Sequence, residues 1–353
     1  MKLAAKSTLL VLGLSFLAFT HGNSPALAQE AAPTTGSGAS CVISGLDATV
    51  TKDTPVMSSE TGGEARAVFS GARAALKATR FPADVSTGRM VINTGNGFRV
   101  EGYADPRQFG IYASRDIAIG GGQLWISAGR QLNIVGAAPG QIKVEVPARG
   151  GLGRAIQALA PCDALTFDRT TPPSFETPGN ARGYLSKKAE LEIFPTAKAE
   201  NGYTINIVGE GSGMLLWGKE QRGGFVHVVA RGDLVIDGWV RSSELKAIPR
   251  GEMMDQALPP ERVQSGPSLS VKDHKGIVRA PKTMTLYFGR GEATPQLGEL
   301  EKDSEVYLLE TVLGWASILP KSLQVLPQGD RAFWVKSTDL GLAAPAPAGS
   351  AKP

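Results

Sequence analysis

Histidine and cysteine, the residues most reaction chemistry draws on, are scarce here. Histidine occurs three times and cysteine twice in 353 residues. Beyond residue 28 the histidines are His227 and His274, and no Cys/His spacing suits zinc, so no metal is expected. His227 stands in an alternating run with Phe225 and Val229, which reads as a structural or surface position. His274 lies in the charged stretch Lys272-Asp273-His274-Lys275 and reads as solvated. No nucleophile elbow stands between a strand and a helix; Gly209 to Gly213 reads as a hairpin turn. Gly120 to Gly122 and Gly150 to Gly153 do not continue into phosphate-binding loops. The acid pairs Glu299/Glu301 and Asp303/Glu305 read as a solvated face, with nothing to frame them for glycosidic cleavage. The expectation is a protein without cofactor or catalytic site.

Long apolar runs are also missing beyond the first 28 residues, so no membrane span is expected, since a spanning helix needs about 20 apolar residues. Those 28 residues read as a secretory signal. Lys2 and Lys6 start it, Leu9 to Phe19 form its apolar centre, and Ala26-Leu27-Ala28 has the small-x-small cleavage pattern. Removing them leaves 35 basic against 33 acidic residues, a formal charge of +2. No basic run remains to follow a phosphate backbone, which argues against a nucleic-acid partner. In an exported protein, Cys41 and Cys162 are most simply a disulfide. Lipid attachment at Cys41 is disfavoured because Gly38 stands three residues before it.

Residues 29–40 read as a flexible leader, 168–183 and 249–277 as proline-rich linkers, and 343–353 as a disordered Ala/Pro tail. One helix, Glu64 to Lys77, is conceivable, weakened by Gly71. Elsewhere short alternating runs between Gly-rich turns predict many antiparallel strands.

The runs repeat. Trp239-Val240-Arg241-Ser242-Ser243-Glu244-Leu245 and Trp334-Val335-Lys336-Ser337-Thr338-Asp339-Leu340 match position for position. Tyr103 to Phe109 and Leu159 to Leu165 follow the same frame. It reads as a strand ending in one 3₁₀ turn, its first apolar residue entering a core and its last folding back on it. A second landmark lies upstream at Gly224-Phe225, Gly314-Trp315, Gly97-Phe98 and Gly140-Gln141. A third is an apolar pair ending in Tyr112, Phe194 or Tyr287. The third and second landmarks are 29, 31 and 28 residues apart, against 41 from Met57 to Phe98.

These landmarks resemble the bacterial SH3-like (SH3b) domain, best in Gly238-Trp239-Val240 with Leu245 and in Gly314-Trp315 with Trp334-Val335 and Leu340. The resemblance implies an all-β chain of about four tandem small SH3-like barrels joined by linkers, at 41–109, 110–167, 184–248 and 278–342, the first two degenerate. Gln141 and Leu159 depart from its aromatic pattern. By resemblance, Tyr112, Phe194, Trp217, Phe225, Tyr287 and Trp315 could line ligand grooves, with Tyr287 and Trp315 equally readable as core. Tyr103, Trp239, Leu245, Trp334 and Leu340 are read as the core that closes each barrel. The disulfide would tie the first two copies together. The implied protein is a non-enzymatic binder of the periplasm, or secreted to the cell surface, with a cell-wall glycopeptide or an envelope protein as partner. A structural component of an envelope complex is the second reading and a degenerate wall hydrolase the third. Oligomeric state is not legible.

Overall fold

A computed structural model describes residues 39–50, 54–69, 73–95, 97–149, 151–208, 214–249, 271–329 and 331–342. The signal segment, most of the leader, the centre of the second linker, Gly209 to Gly213 and the tail lie outside the described residues.

The described chain is all-β and antiparallel, with no α-helix among the described residues. The helix expected over Glu64 to Lys77 is instead parts of two strands, Gly62–Phe69 and Arg73–Phe81. The first folds back on Thr54–Ser59 and the second pairs with Ala39–Thr49. The ladders on both sides satisfy backbone groups that a helix would have bonded internally, and tertiary pairing overrides the weak helical pattern. Three expected loop boundaries also move. Ala39 and Ser40 belong to the first strand, Arg182 and Gly183 to the strand Arg182–Ser186, and Gly276 and Ile277 to the strand Gly276–Arg279.

Four strand groups follow one plan. In the first, third and fourth, an opening strand (Ala39–Thr49, Arg182–Ser186, Gly276–Arg279) pairs with a long fourth strand (Arg73–Phe81, Leu216–Arg222, Glu305–Val312). That strand continues a meander through a fifth (Met90–Thr94, Phe225–Arg231, Trp315–Pro320) to a closing strand (Phe98–Ala104, Leu234–Arg241, Phe333–Lys336). A hairpin made by the second and third strands touches the closing strand at one position. The contact is Met57 opposite Tyr103, Phe194 opposite Trp239, and Tyr287 opposite Trp334. In the second group the meander is Gln131–Ala138, Gln141–Val146 and Ile156–Pro161, and the opening strand is Ile111–Ala113.

The repetition extends to an irregularity. All four fourth strands slip register at one place, opposite Val91, Lys143, His227 and Ser317, near the start of the fifth strand. A bulge of this kind bends and twists its strand, so it shapes all four groups alike. The bulge also corrects two alignments made from sequence. In the first group it puts Arg89 in the place of Phe225 and Trp315, 32 residues after Met57. Phe98 instead begins the closing strand, and the 41-residue spacing compared different strands. Tyr112 lies on an opening strand, not on a hairpin like Phe194 and Tyr287.

Three of the four closing motifs end in the expected 3₁₀ turn, at Pro106–Gln108, Cys162–Ala164 and Ser242–Glu244. Ser337 to Gly341 forms a hydrogen-bonded turn in the fourth.

The groups join in nested pairs, first with fourth and second with third. Gln296–Leu300 of the fourth adds to the closing strand of the first, with Gly298 opposite Val100 and Leu300 opposite Phe98. Leu124–Ile126 of the second adds to the closing strand of the third in the same way, with Leu124 opposite Ile236 and Ile126 opposite Leu234. A return contact follows in each pair. Gly62–Phe69 pairs with Val325–Pro327, and Ile207 bridges to Leu152. One sheet of 13 strands therefore spans the first and fourth groups, and one continuous hydrophobic core runs from Cys41 to Leu340.

Candidate functional site

The closing strands alternate, and the alternation decides where the aromatics go. In Leu234–Arg241, the residues Leu234, Ile236, Gly238 and Val240 are buried, while Trp239 is half-buried on the other face. In Phe98–Ala104, Phe98, Val100, Gly102 and Ala104 are buried and Tyr103 is half-buried. The expectation that Tyr103 and Trp239 fill the core is thus corrected. With period 2 their neighbours Gly238 and Gly102 face inward, and the rings stand outside. Trp334 is more covered, at 8% exposed, and Leu245 and Leu340 are buried.

On that outer face two equivalent aromatic clusters form. Phe194 exchanges both backbone hydrogen bonds with Trp239, each 2.8 Å. Its ring meets Phe225 edge to face, with centroids 5.6 Å apart and planes at 87°. In the fourth group Tyr287 meets Trp315 with centroids 5.1 Å apart, also at 87°. This is the preferred arrangement of aromatic quadrupoles. Phe194 and Tyr287 are buried, whereas Phe225 and Trp315 are half-buried and reach the surface. Each cluster carries a cation. The Arg241 guanidinium lies over Phe194 at 4.8 Å, held by Glu192 at 2.7 Å. Arg290 lies over Trp334 at 5.5 Å. Lys336, at the position of Arg241, pairs with Glu292, whose carboxylate raises the lysine pKa above its ordinary value.

His227 joins the first cluster. Its ring stacks on Trp239 with centroids 4.9 Å apart and planes at 14°. Its Nε2 is 2.7 Å from Asp237 Oδ1, and Lys219 reaches the same carboxylate at 3.8 Å. Sequence reasoning placed His227 on the strand but had no signal for this stack, because His227 and Trp239 meet only through the ladder. Arg241 and Arg290 likewise carry no local signal, because the rings they cover belong to other segments of the chain.

The remaining predicted residues fall elsewhere. Trp217 is half-buried opposite Gly183 and Val229 and makes no ring contact among the described residues. Tyr112 is buried between Gln131 and Thr166 in its ladders. The first two groups lack the aromatic pair, with Met57 and Arg89 in its place in the first and Gln141 in the second. Glu299 and Glu301 are more than a solvated face. Both bond Arg99, at 3.1 and 3.0 Å, and so clip the fourth group to the first. His274 lies beside Tyr307, centroids 4.9 Å apart.

Cys41 and Cys162 are disulfide-bonded with Cα atoms 5.7 Å apart, joining the first opening strand to the second 3₁₀ turn. An open cleft of about 530 Å³ is lined by Val85, Arg107, Phe109, Gln131, Asn133 and Glu145 among others. Among the described residues no cluster of His, Cys, Asp and Glu could hold a metal ion, and no helix is long and apolar enough to cross a membrane. The disulfide is compatible with an exported protein. No family model, curated protein or solved structure matches this chain.

Proposed function

We propose that this chain is an exported, non-enzymatic binding protein of the cell envelope, built from SH3-like modules that hold peptidoglycan or an envelope protein. The observation that carries the reading is the recurrence of one aromatic pair at one place in two strand groups. The edge-to-face pair, half-exposed at its outer ring, is the same in both, and each cluster adds a cation from its own position, Arg241 over Phe194 and Arg290 over Trp334. Flat aromatic surface beside a fixed charge suits a ligand with both apolar and polar faces, and two such places on one chain allow avidity.

The test is retention on purified cell-wall sacculi. The secreted form is expected to be retained, and Phe225→Ala with Trp315→Ala should weaken retention by at least about tenfold, as for central interface aromatics. A wild-type chain that passes through unretained removes wall binding from the proposal.

A structural role within an envelope complex is the second reading. It is favoured by the way cross-group ladders and the disulfide tie the groups together. In-cell cross-linking that traps one stoichiometric protein partner, without glycan affinity, would select it.

A further inference from the structure

Three of the four groups end alike. After the 3₁₀ turn the chain runs back along the group's own opening strand. Leu245–Ala247 covers Tyr184 to Ser186, Leu165–Thr166 covers Tyr112 and Ala113, and Phe109 bridges to Val50. In two of them a further bond seals the cover, from Lys187 N–H to the Glu244 carbonyl at 2.8 Å and from Ser114 N–H to the Ala164 carbonyl at 2.9 Å.

The fourth group has no such cover among the described residues. Gly341 stands where Lys246 stands in the third and has φ of 72°, a left-handed conformation that turns the chain aside. The N–H groups of Gly341 and Leu342 bond back to Thr338 and Ser337. The shared bulge aligns Gly276 with Arg182, which puts Pro281 at the place of Lys187, where it has no N–H to donate. Gly276–Arg279 consequently ends the 13-stranded sheet.

The open edge has a direction and a charge. Ala280 N–H points into the sheet, to the Ser304 carbonyl at 2.9 Å. Alternation therefore turns the N–H and C=O groups of Ile277 and Arg279 outward. Ile277 is 48% exposed. Lys272, His274, Lys275 and Arg279 are exposed along the edge with a single acid, Asp273, among them. Glu305, across the ladder from Arg279, is already paired with Lys321. A second copy of the chain is a poor occupant. Antiparallel self-pairing about Ile277 would set Lys275 against Arg279, and like charges directly opposite destabilise a ladder.

We propose that Gly276–Arg279 is a strand-addition site for an extended segment of another polypeptide, one alternating apolar and acidic side chains. The site is separate from the aromatic clusters and does not depend on their function.

The test is amide hydrogen exchange on the full, disulfide-bonded chain. The probe is a peptide of about eight residues alternating glutamate and valine, at concentrations on the order of millimolar; the control carries lysine for glutamate. In the free chain the Ile277 and Arg279 amides should exchange fast. The acidic peptide should slow both by at least about tenfold, equivalent to 1.4 kcal/mol or more, and the lysine peptide should not. Ile277→Pro removes one outward donor at an edge position where proline is tolerated, and it should abolish protection at Arg279. Arg279→Glu should reverse the preference toward the lysine peptide and serves if the proline variant does not fold. Slow exchange in the free chain would mean that its own residues or a second copy already cover the edge. That result, an unprotected edge at saturating peptide, or unchanged protection in a folded Ile277→Pro variant would each overturn the proposal.

Discussion

His227 lies flat on Trp239, and Asp237 holds its outer edge. The histidine covers the face of a tryptophan that its strand turns away from the core. His227→Ala should open that ring to water, increasing quenching of tryptophan fluorescence by acrylamide and lowering stability by about 0.5–1.5 kcal/mol. His227→Phe should restore most of both. Unchanged quenching in the alanine variant would show that the stack does not persist in solution.

Gly238 and Gly102 mark where a hairpin crosses a closing strand. A Cβ on Gly238 would lie 2.7 Å from Ile193 Cγ2 and 2.9 Å from the Phe194 carbonyl oxygen. On Gly102 it would meet Val56 Cγ1 at 2.5 Å and the Met57 oxygen at 2.9 Å. Backbone cannot yield as a side-chain end can, so Gly238→Ala should cost about 1–3 kcal/mol in urea unfolding. Gly232→Ala, where a Cβ would meet nothing within 4 Å, should stay within about 0.5 kcal/mol of wild type.

The disulfide closes a separation of 121 residues. Chain-entropy reasoning gives a loop of this size about 4–5 kcal/mol. The paired Cys41→Ala and Cys162→Ala variant should lose much of that, read as a lower urea midpoint. Adding reductant to the wild type should reproduce the loss and leave the variant unmoved.

Asp116 links the second group to the third. Burial alone would raise its pKa, but hydrogen bonds from the Arg231 guanidinium at 2.7 Å and the Ala128 amide at 2.8 Å outweigh it and hold the carboxyl below its ordinary value. The unfolded chain therefore takes up the proton first. The stabilisation is complete above the ordinary aspartate range, about 3.9, and is lost as pH falls through the lower folded value. Thermal midpoints should fall on acidification below about pH 4, and Asp116→Asn should flatten part of that fall. A slope unchanged in the variant would place the effect in other carboxylates.

The sequence by itself determined the all-β class, the pairing of the two cysteines and the sites of the 3₁₀ turns. These follow from local or compositional signals: period-2 alternation, a lone cysteine pair, and a turn framed by apolar residues six apart. The aromatic pairs of the third and fourth groups were also legible as landmarks, since Phe194 with Phe225 and Tyr287 with Trp315 keep nearly the same spacing. Which face those rings take, which slot Tyr112 and Phe98 occupy, and which cations lie over the rings were not legible. One residue of register exchanges the two faces of a strand, and only ladder partners set the register. The tertiary structure alone decided the nesting of first with fourth and second with third. Those contacts join strands far apart in the chain, nearly two hundred residues for Gly298 with Val100 and 112 for Leu124 with Ile236, through backbone hydrogen bonds that carry no side-chain signature.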